Sequence, residues 1–240
     1  MSKRIKIGYL GVPENDGGQL GLELLEECKP TPIGLHGGVL SRCPATKGYH
    51  MNTFEVKCPF DLEFTITRSE EEKETGDWSW VINPDKTTFD LTDMFWDSNQ
   101  ILNFSPDGTT VQVMTHPGWG FVSDTPNTIM LQHTNGIDTN PQTVTGQIDI
   151  YNWPDRPLSV AYYLDTGKDE QTFTLKRGQP WYRLTFFTPG LDTVKLVRME
   201  KRPDFLENTR NKSKLALIRY LNWRKIFTDF GNSRPKKLIR

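Results

Sequence analysis

An antiparallel, jelly-roll-like β-sandwich carrying a basic amphipathic helix at its C-terminal end is the fold predicted by three observations. Apolar and polar residues alternate with a period of two through the middle of the chain. Turn-forming residues punctuate those runs, and the period changes to that of a helix after residue 204.

The alternation is densest from Val144 to Phe187. Ile148 and Ile150 alternate with Gln147 and Asp149, and Leu158, Val160, Tyr162 and Leu164 fall on one face of the next run. Phe173 and Leu175 continue the pattern, and Tyr182, Leu184 and Phe186 oppose Trp181, Arg183 and Thr185. A pleated strand turns successive side chains to opposite faces, so each run buries one face and leaves the other polar. Trp153-Pro154-Asp155-Arg156-Pro157, Asp165-Thr166-Gly167-Lys168 and Lys176-Arg177-Gly178 supply the reversals between them.

Upstream, Ile5 and Ile7 alternate with Arg4, Lys6 and Gly8 in a first strand. A turn-rich segment from Val12 to Gly18 and an apolar patch from Leu20 to Leu25 follow, the latter read as one or two helical turns. From Tyr49 the chain reads as β again. Phe54 and Val56 alternate with Glu55 and Lys57, Cys58-Pro59 breaks the run, and Leu62, Phe64 and Ile66 alternate with Glu63 and Thr65. Residues 69–76 read as an exposed charged hairpin tip, and Trp78, Trp80 and Ile82 share a face of the next short strand. Further runs end at Ser105-Pro106-Asp107-Gly108, lead from Val111 and Val113 into His116-Pro117-Gly118-Trp119-Gly120, and cover Thr128 to Gln132 and Thr193 to Met199.

Residues 204–230 have helical spacing: Leu217 and Leu221, then Tyr220, Trp223, Phe227 and Phe230, with Arg219, Arg224 and Lys225 on the remaining surface and Gly231 as the stop. Two units are expected: a β domain over 1–200 and a basic helix and tail over 201–240, serving as a brace on the body or as an arm for a homo-oligomer. The charge supports the division. From Arg198 to Arg240 there are 13 Lys/Arg against 4 Asp/Glu, which leaves 16 against 26 for the rest. A basic end on an acidic body is suited to an acidic partner.

Hydrophobic residues make up 35% of the 240 residues and aromatic ones 11%, so the core is expected to be rich in rings. Cys28, Cys43 and Cys58 are widely spaced and odd in number, which argues against both a zinc ribbon and a disulfide scaffold and fits a reducing compartment. No signal-peptide pattern and no apolar run of about 20 residues is present, so a soluble, cytoplasmic protein with no membrane contact is expected.

Three features, in order, carry a family resemblance. They are Cys43-Pro44 followed by an aromatic strand and Cys58-Pro59-Phe60-Asp61-Leu62-Glu63; His116-Pro117-Gly118-Trp119-Gly120; and Asn152-Trp153-Pro154 leading to Phe173, Gly178-Gln179-Pro180 and the last apolar strand. Together they resemble an uncharacterised family of bacterial and phage proteins, the domain of unknown function numbered six-zero-six-five, over residues 40–190. The chain as a whole looks like accessory proteins of tailed phages that infect cyanobacteria, which implies a host-cell cytoplasmic location. The resemblance implies a β-sandwich and transfers no catalytic residue.

Chemistry is less legible. A cupin-like, metal-dependent oxygenase or isomerase needs two histidines and a carboxylate converging on one face to hold iron or another divalent metal. Of His36, His50, His116 and His133, none stands in His-x-Asp, His-x-Glu or His-x-His. A triad of His116, His133 and Asp138 or Asp149 from separate strands is the alternative left open. Gly34-Leu35-His36-Gly37-Gly38 lacks the Gly-Lys-Ser/Thr that makes a phosphate cradle. No Gly-x-Ser-x-Gly occurs, and the nearest Cys–His spacing is Cys43 to His50.

A non-enzymatic binding protein with no cofactor is therefore the leading reading. Trp119, Trp153 and Trp181 with Arg156 and Arg183 would offer stacking planes and donors for a ligand if they shared a surface. For each tryptophan taken singly, core filling is the favoured role over ligand contact.

Overall fold

The computed structural model describes residues 4–11, 26, 29–33, 43–68, 78–88, 102–104, 108–113, 119–134, 142–156, 160–190, 192–206 and 232–239. They form a mainly β protein with a short helix, α1 (Pro44–Met51), and a 3-10 turn at Pro84–Lys86. The strands are β1 (Arg4–Gly11), β2 (Thr31–Pro32), β3 (Thr53–Lys57), β4 (Leu62–Thr67), β5 (Ser79–Ile82), β6 (Leu102–Phe104) and β7 (Thr110–Val113). The second half adds β8 (Trp119–Ser123), β9 (Ile129–Thr134), β10 (Gly146–Asp149), β11 (Val160–Tyr163), β12 (Glu170–Leu175), β13 (Pro180–Phe187) and β14 (Thr193–Arg198).

The strands pair into four sheets: β14-β1-β8, β10-β9-β13-β3-β2, β11-β7-β6 and β12-β4-β5. Every described pairing is antiparallel except β1 with β14, whose register runs from Arg4 opposite Thr193 to Tyr9 opposite Arg198. That pair joins positions some 190 residues apart and departs from the wholly antiparallel pattern expected.

The period-two pattern sets what is buried. In β4, Leu62, Phe64 and Ile66 point inward while Glu63, Thr65 and Thr67 stay half-exposed. Phe64 stacks on Phe173 of the neighbouring β12, ring centroids 5.0 Å apart and planes 7° apart. Inward residues of all four sheets meet in one core, dominated as expected by rings: Tyr9, Phe54, Phe64, Phe121, Tyr162, Phe173, Trp181, Tyr182 and Phe186 among them. Each such side chain contributes about 1.5–3 kcal/mol by leaving water.

β1 and β8 break the alternation because both their faces are covered. Ile5, Ile7, Tyr9, Trp119 and Phe121 face the main core, whereas Leu10 and Val122 join a second cluster with Leu206, Leu238 and Ile239. The described parts of the C-terminal region, 199–206 and 232–239, thus pack back onto the chain's own β body. The helix expected over 204–230 falls almost wholly outside the described residues, with only Asp204–Leu206 seen as a helical turn.

The segment read as β from Tyr49 is helical up to Met51, and β3 starts at Thr53. Pro44 at the first helical turn fixes φ where no intrahelical N–H is needed, and it favours this start. The segments 12–18, 20–25, 34–38 and 69–76, to which turns, a helix and loops were assigned, also lie outside the described residues.

Candidate functional site

α1 packs against β3 and β14 and so bridges two sheets. Asn52, at its C-terminal end, makes the join: Nδ2 donates to Asp192 O (3.0 Å), Oδ1 accepts Val194 N–H (2.8 Å), and its carbonyl accepts Phe186 N–H (3.0 Å). The last turn of α1 is thereby fixed, and its consecutive Tyr49 and His50 are set on two different surroundings.

Tyr49 lies over the outer face of the five-stranded sheet. Thr53 and Thr185, directly opposite each other on β3 and β13, are buried with hydroxyls 2.9 Å apart. Thr53 Oγ1 donates to Tyr49 O at 2.7 Å, and a hydroxyl has one proton, so between the two threonines Thr185 is the donor. Thr185 then has no proton left for His133 Nε2, 2.9 Å away, and that nitrogen must carry the hydrogen. Donation runs from His133 through Thr185 and Thr53 to the Tyr49 carbonyl, which accepts. The Tyr49 hydroxyl, 3.4 Å from the same Nε2, cannot donate to a protonated nitrogen, so its own proton points elsewhere.

His50 belongs to a different place, a cleft of about 780 Å³ where the edge strand β14 faces Lys29–Pro32 and β2. Tyr9, Phe54, Val194 and Leu196 supply apolar lining, and Arg4, Lys29, His50 and Lys195 supply basic groups, with no Asp or Glu among the described lining residues. Arg4 and Lys195 make no ion pair among the described residues. Lys29 reaches Glu26 at only 4.0 Å, and Glu26 is shared with Arg198. Just beyond, Lys6 stands opposite Lys195 in the β1–β14 register, and like charges opposite one another on neighbouring strands destabilise a sheet. Nδ1 of His50 is buried without a hydrogen-bond partner, which costs about 1–3 kcal/mol until a partner is supplied. The arrangement is suited to an anion attached to an apolar body.

The aromatic surface expected from the sequence is not assembled. Trp119 is 1% exposed and packs edge-on to Tyr9 (5.1 Å). Trp181 is 5% exposed; the register shift between Pro180 and Tyr182 turns its ring inward to Phe60, and its Nε1 donates to Tyr162 Oη at 2.5 Å. These two fill the core, the role favoured for each tryptophan over ligand contact. Burial also pushes the Tyr162 hydroxyl far above its ordinary pKa. Arg183 is half-buried on the outer face beside Glu55, 4.0 Å away.

Only Trp153 and Arg156 come together. The guanidinium carbon sits 3.8 Å from the centroid of the indole. Although Arg156 as a residue is exposed, the loss of water around its guanidinium draws its pKa below the ordinary value. Arg156 thus covers one face of the ring.

Of the alternative metal set, His116 and Asp138 lie outside the described residues, and His133 Nε2 is engaged with Thr185. Asp149 accepts the N–H groups of Tyr151 and Asn152 on Oδ1 and Asn152 Nδ2 on Oδ2, the pattern of a turn-capping carboxylate. Among the described residues no group of three His, Cys, Asp or Glu side chains converges as metal ligands would. No helix among them is long and apolar enough to cross a membrane.

The basic groups of the cleft were not singled out from sequence. Arg4 and Lys195 are visible there only as the polar half of two strands, and nothing local says that these strands pair. No family model, no curated protein and no solved structure matches the chain.

Proposed function

We propose that this protein is a non-enzymatic accessory protein, a jelly-roll-like sandwich, that binds an anionic ligand in the cleft between β14 and β2. The observation that carries the reading is the set of Arg4, Lys29, His50 and Lys195 around apolar residues, with no carboxylate among the described lining residues. Arg4 and Lys195, which make no ion pair among the described residues, are costly to hold near Lys29, and an anion offsets that repulsion. The accessory role encoded by a phage is taken from the overall look of the sequence alone, since no family model matches the chain. Of the two modes expected, ligand binding is the one that the described residues bear on, since the apolar stripe expected of the arm lies outside them.

Titrating isotopically labelled protein with inorganic phosphate and with poly-glutamate tests the reading. Amide signals of His50 and Lys195 should move, less so with added salt, and the movement should be lost in Arg4→Gln/Lys195→Gln. Signals that stay in place with both anions, or that move equally in the variant, would overturn it.

A further inference from the structure

β14 is an edge strand, and its hydrogen bonds reveal which of its main-chain groups face outward. Val194 N–H is donated to Asn52 Oδ1, away from β1, while Met199 N–H is donated inward to Tyr9 O. Main-chain groups alternate sides along a strand, so Thr193, Lys195 and Val197 bond to β1 and Val194, Leu196 and Arg198 turn outward. Asn52 takes the first outward N–H. The N–H and C=O of Leu196 and the C=O of Val194 have no main-chain partner among the described residues, and both residues line the cleft. The facing wall offers no such template, since Pro30 and Pro32 lack an N–H.

An open edge exposes a row of donors and acceptors that another extended chain can satisfy. Here that row stands beside an apolar floor of Tyr9, Phe54 and Leu196 and beneath three cations, Arg4, Lys29 and Lys195. A strand presents alternate side chains to alternate faces, so a peptide with acidic residues at every second position would turn its carboxylates to the cations and its apolar residues to the floor. A free small anion would meet the charges and leave the edge unpaired.

We propose that the ligand of the cleft is an acidic, extended peptide segment of a partner protein, added as a strand along the outer edge of β14. The proposal rests on the anion-binding reading above and narrows it to one class of ligand.

The test uses the full chain and three probes. The first is a capped peptide of alternating Glu and Val, about six residues long, the usual strand length. The second is a pair of the same peptides N-methylated at the odd or at the even positions, and the third is inorganic phosphate. The plain peptide should bind, shift the His50 and Lys195 amides and slow hydrogen exchange at Leu196. One of the N-methylated pair should bind about tenfold or more weakly, as expected for lost main-chain bonds, while the other binds as before; which one fails reports the strand direction. Equal binding by both N-methylated peptides, or phosphate binding as tightly as the plain peptide, would overturn the added strand and leave the anion site standing. If neither the peptides nor phosphate move His50 and Lys195, the anion site falls with it.

Discussion

Arg202 Nη1 lies 2.9 Å from Asp155 Oδ2, and the Asp155 carboxylate is 1% exposed. Asp155 is held in the turn after β10 with φ +57, a left-handed conformation that Asp and Asn tolerate better than most residues. Its N–H is donated to Phe121 O, and Arg202 Nη2 donates to Gly11 O, so this one pair ties the end of β1, the middle of β8 and the segment after β14 to the turn. Arg202→Met should cost about 3–5 kcal/mol, because it takes the Arg202 charge away from a buried carboxylate, and Arg202→Met/Asp155→Asn should cost less than Arg202→Met alone. Urea unfolding of the single and double variants measures both.

The same carboxylate explains a glycine. A Cβ placed on Gly120 would stand 2.0 Å from Asp155 Oδ1 and 3.1 Å from its Cα, and neither atom has room to withdraw. Gly120→Ala should therefore destabilise by about 1–3 kcal/mol or more. Gly146, also in a strand, has nothing within 4 Å of the corresponding position, so Gly146→Ala should be neutral or stabilise by up to about 1 kcal/mol. Thermal melts of the two variants should move apart.

The described end of the chain is clamped by Asp124. Its Oδ1 and Oδ2 accept the N–H groups of Leu238 and Ile239 at 2.8 and 2.9 Å, and Arg234 lies 3.3 Å from Oδ1 with its guanidinium carbon 4.3 Å from the ring centroid of Tyr151. Burial lowers the Arg234 pKa and Asp124 opposes that shift. Removing residues 234–240 uncovers Leu10 and Val122 and loses the burial of Leu238 and Ile239, roughly 1.5–3 kcal/mol for each side chain. Asp124→Ala, which leaves two main-chain donors without their acceptor, should lose about 1–3 kcal/mol. Both are read from the midpoint of urea unfolding, and a truncated chain as stable as the full one would show that the clamp carries no weight.

What was legible in the sequence was whatever depends on neighbours along the chain. Leu62, Phe64 and Ile66, or Tyr182, Leu184 and Phe186, announce their buried face by period alone, and Asp165-Thr166-Gly167-Lys168 announces its turn. Trp181 was assigned to the wrong face because a bulge shifts the register by one residue, and a one-residue slip turns a side chain to the other side. α1 was hidden because Tyr49, His50 and Met51 resemble a strand entry, and only Pro44 signalled the helix. The cleft was illegible for a different reason. It depends on Arg4 and Lys195 meeting through a parallel pairing of the two ends of the chain, and such a pairing leaves no local mark.

The hydroxyl relay beneath Tyr49 makes a prediction about a proton. With Thr53 donating to Tyr49 O and Thr185 donating to Thr53, His133 is the Nε2–H tautomer when neutral. Long-range nitrogen–proton spectra should show that form. Thr53→Val removes the acceptor of the Thr185 proton, which frees Thr185 to donate to an unprotonated Nε2, so the Nδ1–H tautomer should gain population. An unchanged tautomer in Thr53→Val would mean that the His133 surroundings, and not the threonines, set it.

Glu63 gives the pH dependence whose sign is easiest to fix. Lys86 Nζ, 2.9 Å from Oε1, lowers its pKa most; burial works in the opposite direction, and Asn83 Nδ2 and Thr174 add hydrogen bonds that lower it further. A carboxylate with a depressed folded-state pKa contributes stability that is fully present above its ordinary, unfolded value and is lost as the pH falls through the folded one. Carbon-13 titration should find Glu63 below the ordinary carboxylate range, and Lys86→Met should raise it. The variant should then lose less stability than the parent between neutral and acid pH, since less of the contribution is left to titrate. An equal loss in both proteins would show that Lys86 does not stabilise the ionised form of Glu63.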